Sequence, residues 1–144
     1  MRDDFEKYIQ SMGLSATLSD KVRAIHDIYQ LISPQKTDWI FISDYITQEG
    51  DRMFGSLWFL AERYVMEAKE FGSQDDYDLA LLQLPLLYVR IRKQDFDSKI
   101  ANEKSRMFLS FTAHTNMSGE MKASKENCDH LWRLFCEYFV PRMK

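Results

Sequence analysis

An α+β fold is predicted for this chain, with helices at both ends of a run of antiparallel strands. Three observations predict it. Residues 3 to 32 repeat apolar side chains at helical spacing, and from Asp38 onward β-branched and aromatic runs alternate with turn residues. Residues 125 to 140, KENCDHLWRLFCEYFV, then return to a helical stripe that must be buried against the sheet. Residues 1–36 are expected as a helical extension packed on the rest, and 37–144 as the sheet with its last helix, forming one globular unit.

Phe5, Tyr8, Ile9 and Met12 define a first helix, with Gly13 placed for a left-handed C-terminal turn. A second helix starts at Thr17-Leu18-Ser19-Asp20, which has capping-box spacing, and lines Val22, Ile25, Ile28, Tyr29 and Ile32 along one face until Ser33-Pro34 stops it. WIFISDYI (39–46) reads as a strand, residues 47–55 as a turn, SLWFLAE (56–62) as the second strand and YVMEAKEF (64–71) as the third. Glu62-Arg63 forms the tip between the last two. Helix competes for the third, because Met, Glu, Ala and Lys favour it.

Gly72 to Asp78 is expected as a polar loop. Pro85 then bends the run from Leu79 to Lys93, and a strand follows from Leu86, with Leu87, Val89 and Ile91 on one face and Tyr88, Arg90 and Arg92 on the other. Residues 94–105 are polar, with a short strand possible near Ile100. Met107, Leu109, Phe111 and Ala113 alternate inward, Asn116 to Gly119 turns the chain, and EMKAS leads back to the final helix. That helix is expected to be capped by Ser124, to bury Cys128, Leu131, Trp132, Phe135 and Phe139, and to end at Pro141.

The chain of 144 residues is 45% hydrophobic and 14% aromatic, too apolar for disorder, and no apolar run is long enough to span a bilayer. MRDDFEKYIQ, with three acids and no apolar core behind it, does not read as a signal peptide, so a cytoplasmic location is expected. Net charge is −3, unevenly spread: residues 34–88 hold ten acids against four bases, residues 89–106 six bases against three acids. The acidic middle argues against nucleic acid as a partner.

Little in the sequence points to catalysis or a metal. Cys128 and Cys136 are eight residues apart on one helix, about 12 Å along its axis, which excludes a disulfide between them. With His26, His114 and His130 they have no zinc spacing, and no cofactor is expected. Asp75, Asp76 and Asp78 lack the glycine and distal glutamate of a calcium loop. The informative polar feature is a basic face of Arg90, Arg92, Lys93 and Arg106, with Lys99 and Lys104 near it in sequence, suited to an acidic protein or peptide and secondarily to anionic lipid. The competing reading pairs this strand with Glu67 and Glu70 of the third strand in surface salt bridges.

Taken together, SLWFLAERYVMEAKEF, YDLALLQLPLLYVRIRK, RMFLSFTAHTNMSGEMKAS and the Trp132-bearing helix resemble the bacterial pleckstrin-homology-like domains over about residues 38–140. The resemblance implies a strongly bent antiparallel sheet of about seven strands, a barrel or sandwich closed by the C-terminal helix, with Trp132 plugging one end. It also implies a non-enzymatic module that binds a protein, peptide or lipid surface. The loop of the first two strands carries Glu49 and Asp51 with Arg52 as its one cation, where lipid-binding members place several. Two alternatives from other classes stay open. One is a pocket protein or enzyme whose cavity is lined by Trp39, Tyr45, Trp58 and Phe111; the other is an acidic toxin-neutralising partner acting through residues 44–78.

Overall fold

The computed structural model describes residues 1–32, 37–95, 101–113 and 117–143. Expectations for Ser33-Pro34, Lys99, Ile100, His114 and Asn116 lie outside the described residues. The described chain is α+β, with two antiparallel sheets and a C-terminal helix.

Helix α1 (Asp3–Ser11) is followed by Gly13 at φ +70°, in the left-handed turn its position predicted. Helix α2 spans Ala16–Ile32. Its first turn is capped by Ser15, whose Oγ accepts the Leu18 N–H at 3.2 Å, and the cap expected at Thr17 lies inside the helix instead. Serine two positions upstream satisfies the same orphan amides, so the helix starts earlier.

The first sheet runs β1 (Trp39–Ile46), β2 (Arg52–Leu60), β3 (Tyr64–Lys69) and β4 (Asp78–Gln83) in that order. The second runs β5 (Leu86–Gln94), β6 (Arg106–Ala113) and β7 (Ser118–Ser124). Three features depart from the sequence reading: a boundary, a strand and a residue's exposure. β2 begins at Arg52, inside the expected turn, because Arg52, Met53 and Phe54 pair with Ile46, Tyr45 and Asp44. β4 is a strand in its own right rather than part of a bend. Leu87, expected inward, is 56% exposed, since a bulge between Leu86 and Tyr88 resets the strand after Pro85.

Both faces of the first sheet are covered. On one, Phe5, Ile9, Met12, Val22, Ile25 and Tyr29 of the helical hairpin pack on Ile40, Ile42, Leu57, Phe59, Met66 and Phe71. On the other, Phe41, Trp58, Leu60 and Val65 meet Met107, Leu109, Phe111 and Met121 of the second sheet, with Leu131, Leu134, Tyr138 and Phe139 completing the core. Burial on both faces explains why β1 to β3 are apolar at almost every position.

The C-terminal helix differs from expectation in start, cap and plug. Helix α3 covers Asn127–Leu134 and continues as a π turn, Phe135–Phe139, then a 3-10 turn, Val140–Arg142. Ser124 belongs to β7, and its hydroxyl bonds Asp44 rather than a helix amide. Trp132 is partly buried at the core margin, where the Lys93 ammonium lies 4.4 Å from its ring centroid. The deep residues are Leu131, Leu134, Tyr138 and Phe139, and the Tyr138 hydroxyl donates to Ala61 O at 2.6 Å.

A single continuous bent sheet does not form among the described residues. Between β1 and β7 side chains do the joining: Lys122 N–H donates to Ser43 Oγ (2.9 Å) and Ser124 N–H to Asp44 Oδ1 (3.1 Å). A register shift between Ile42 and Asp44 turns the Asp44 carboxylate into this seam.

Candidate interaction surface

β5, β6 and β7 bury one face each and leave the other to solvent. Period two decides which side chains share the outer face: Tyr88, Arg90 and Arg92 from β5, Arg106, Phe108, Ser110 and Thr112 from β6, and Ser118, Glu120 and Lys122 from β7. The register sets them side by side. Arg90 pairs with Ser110, Arg92 with Phe108 and Gln94 with Arg106, while Phe108 pairs with Lys122 and Ser110 with Glu120.

The Arg92 guanidinium stands 4.6 Å from the Phe108 ring centroid, and Arg90, Arg92, Phe108, Ser110 and Glu120 line a shallow depression of about 190 Å³. Lys122 sits 5.7 Å from the Tyr45 ring, and Tyr45 pairs with Met53, which extends the surface over exposed apolar groups of β1 and β2. Among the described residues no carboxylate forms an ion pair with Arg90, Arg92 or Arg106; Lys122 alone reaches Glu120, at 3.9 Å. The Arg106 guanidinium donates to the carbonyls of Glu103 and Ser105, which holds it at the margin of the patch.

Three of the four expected basic residues therefore share one face, and Lys93 does not. Lys93 pairs with buried Met107 and points to the opposite side, over Trp132. It follows Arg92 by one residue, so strand parity separates the two. The pairing with Glu67 and Glu70 does not occur: β3 lies in the other sheet, and the Glu67 carboxylate accepts from Ser56 Oγ at 2.8 Å, where burial raises its pKa above the ordinary carboxylate value. Phe108, Lys122, Tyr88 and Tyr45 complete the surface. Their signal was present in the outward parity of RMFLSF and GEMKAS, which a search for clustered charge along the chain passes over.

The acidic middle is not one surface. Asp44 is fully buried, bonded by Arg52 Nε (2.9 Å), Asn127 Nδ2 (2.6 Å), the Ser124 amide and the Ser124 hydroxyl. Tyr8 joins this cluster by accepting the Ile42 N–H (2.9 Å) and donating to Asn127 Oδ1 (2.7 Å), and burial pushes its phenol pKa far up. Arg52, the single cation of the β1–β2 loop, is thus committed to an internal carboxylate and, at 3.5 Å, to Glu126. Asp75, Asp76 and Asp78 remain exposed.

The residues proposed for an aromatic pocket are dispersed. Trp58 and Phe111 meet in the core at 5.6 Å between centroids, and Tyr45 faces solvent. Trp39 lines a groove of about 430 Å³ between α1 and α3, with Arg2, Asp4, His130, Arg133 and Glu137 around it. His130 stacks on Tyr8 at 4.0 Å and donates from Nε2 to Ile40 O at 2.7 Å; burial lowers its pKa. Cys128 is buried, its thiol pushed up to about 12 chiefly by desolvation, while Cys136 is exposed. Among the described residues no cluster of His, Cys, Asp and Glu has the arrangement of a metal site, and no helix is long and apolar enough to cross a membrane. Comparison with protein-family models, curated proteins and solved structures finds no match to this chain.

Proposed function

We propose that the chain is a non-enzymatic binding module of pleckstrin-homology-like type that docks an acidic protein or peptide segment on the outer face of β5, β6 and β7. The observation that carries this reading is the placement of Arg90, Arg92 and Arg106 on one outer face, with no carboxylate partner among the described residues and interleaved with Tyr88 and Phe108. A guanidinium is more weakly hydrated than an ammonium, a neighbouring aromatic ring adds a cation–π contact, and the planar fork suits bidentate pairing with a carboxylate. An overall charge of −3 makes this basic face a local exception, which steers an acidic partner to it.

The pleckstrin-homology-like part of the reading is supported by four strands followed by three, by β1 lying beside β7, and by a terminal helix on the core side of the second sheet. On this reading the seven strands form an open barrel whose β1–β7 corner is joined through Ser43 and Asp44. The commitment of Arg52 to Asp44 favours a peptide over a phosphate headgroup at the β1–β2 loop.

Calorimetric titration with a synthetic peptide of alternating Glu and Tyr tests it. Binding that weakens as salt rises, and falls about tenfold or more in the Arg90→Glu/Arg92→Glu variant, is expected. No binding at low salt, or binding unchanged by the double reversal, overturns the proposal. Anionic vesicles bound in preference to the peptide would move the site from protein to lipid.

A further inference from the structure

Among the described residues no further strand pairs with the outer side of β4 or of β5, and only β5 is defended. β5 carries a bulge at Leu87, charges at Arg90, Arg92 and Lys93, and a parallel bridge from Leu86 to Met143 of the C-terminal segment. Those are the devices that stop an edge from accepting another strand. β4 has one charge, on its first residue Asp78, and none of the other devices. Its register with β3 is unbroken from Lys69↔Asp78 to Tyr64↔Gln83, and after Asp78 the residues Leu79 to Leu84 hold no charge and no proline.

The side chains beside that edge are apolar and exposed. Leu81 is 47% exposed although its cross-strand neighbour Met66 is fully buried, and Tyr77 just before the strand is 48% exposed. Helix α2 flanks them. Its Lys21 and Ala24 line a cavity with Phe71, Gln74, Asp75 and Tyr77, and helical spacing carries that side on through Ile28 to Leu31, which is 86% exposed. Tyr29 stacks on Phe59, and Phe59, Met66 and Leu81 are cross-strand neighbours, so this half of α2 lies at the level of Leu81.

We propose that β4 pairs antiparallel with β4 of a second copy, so that two first sheets join into one eight-stranded sheet. The charges at the ends of β4 select this occupant. The strand starts at Asp78 beside Glu70, Asp75 and Asp76, which outnumber the bases Lys21 and Lys69 there. It ends beside Arg63 and Arg142, which outnumber Glu62 and with it, Gln83, Leu84 and Pro85 line one cavity. Antiparallel pairing sets the acidic start of each copy against the basic end of the other, twice. A two-fold axis normal to the sheet at Ala80 or Leu81 also keeps each face continuous, so Leu79 and Leu81 of one copy adjoin those of the other. Six residues of strand fall short of the roughly 1,000 Å² that a specific interface needs, and the α2 flank with Tyr77 supplies the remainder.

Sedimentation velocity of the full chain over micromolar to millimolar concentration reads the state directly. A dimer is expected in the native chain and in Arg90→Glu/Arg92→Glu, which leaves the β4 edge intact and separates this proposal from the basic-face reading. Leu81→Lys, with Leu81→Glu as a second variant, should shift the dimer constant by about tenfold or more while the far-ultraviolet spectrum and melting cooperativity stay native. A native chain that stays monomeric to millimolar concentration overturns the proposal and leaves the edge to an extended segment of another protein. A dimer that persists in the folded Leu81 variants overturns it too.

Discussion

Asp44 is the residue on which the two sheets depend for their junction. Its carboxylate accepts from Arg52, Asn127 and both donors of Ser124, so its removal leaves buried donors without an acceptor. Asp44→Ala should cost about 3 to 5 kcal/mol in chemical denaturation, and a loss below about 1 would contradict the seam described here. Gly119 makes a different demand: a Cβ there would stand 2.6 Å from the rings of both Phe111 and Trp58. Gly119→Ala should destabilise by about 1 to 3 kcal/mol and shift the Trp58 fluorescence, because two buried rings must move apart. An unchanged melting curve would mean that the rings repack at no cost. Neither role was legible from the residue alone. An aspartate after WIFIS reads as an ordinary polar position until the register shift that sets Gly55 and Ser56 of β2 opposite Ser43 turns it inward, and a glycine beside a turn reads as part of that turn.

Elements show where sequence patterns carry and where they stop. β1, β3, β5, β6 and β7 were legible because β-branched or alternating residues lie between turn signals, and α1 and α2 because their stripes are wide. β4 was not: DLALLQ has neither a polar alternation nor the length of a helix, and its pairing with β3 makes it a strand. The final helix was legible as an element and misread in its contacts. Its buried side runs through Leu131 and Leu134, a π turn then brings Tyr138 inward with Phe139, and Trp132 and Phe135 stay at the margin. The basic face was half legible, since parity places Arg90 with Arg92 and excludes Lys93, while the register that adds Lys122 needs the fold. Leu131→Ala should therefore cost about 2 to 5 kcal/mol and Trp132→Ala clearly less, read from urea midpoints; the reverse order would return Trp132 to the core.

At the scale of the whole molecule, two imidazoles set a pH dependence. His26 is buried between Phe5 and Phe59, and His130 is stacked on Tyr8; desolvation lowers both pKa values, against a smaller upward pull of Asp27 on His26 and of the Ile40 carbonyl on His130. The unfolded chain binds those protons more readily. Their contribution to stability is complete above about pH 6.5 and is lost as pH falls toward the folded-state values. Glu67 acts in the opposite sense, because burial raises its pKa. Urea denaturation at pH 7.5 and 5.5 should show a loss on acidification that shrinks in His26→Gln and in His130→Gln. A loss identical in both variants would assign the dependence to other groups.

The proposed docking function rests on the outer face of β5, β6 and β7, and amide chemical shifts report that face residue by residue. During titration of the ¹⁵N-labelled chain with the Glu-Tyr peptide, the largest shifts should fall on residues 88–92, 106–112 and 118–122, with Tyr45 beside them. Shifts confined to β4 and α2, or to the groove between α1 and α3, or no shifts at low salt, would contradict the account.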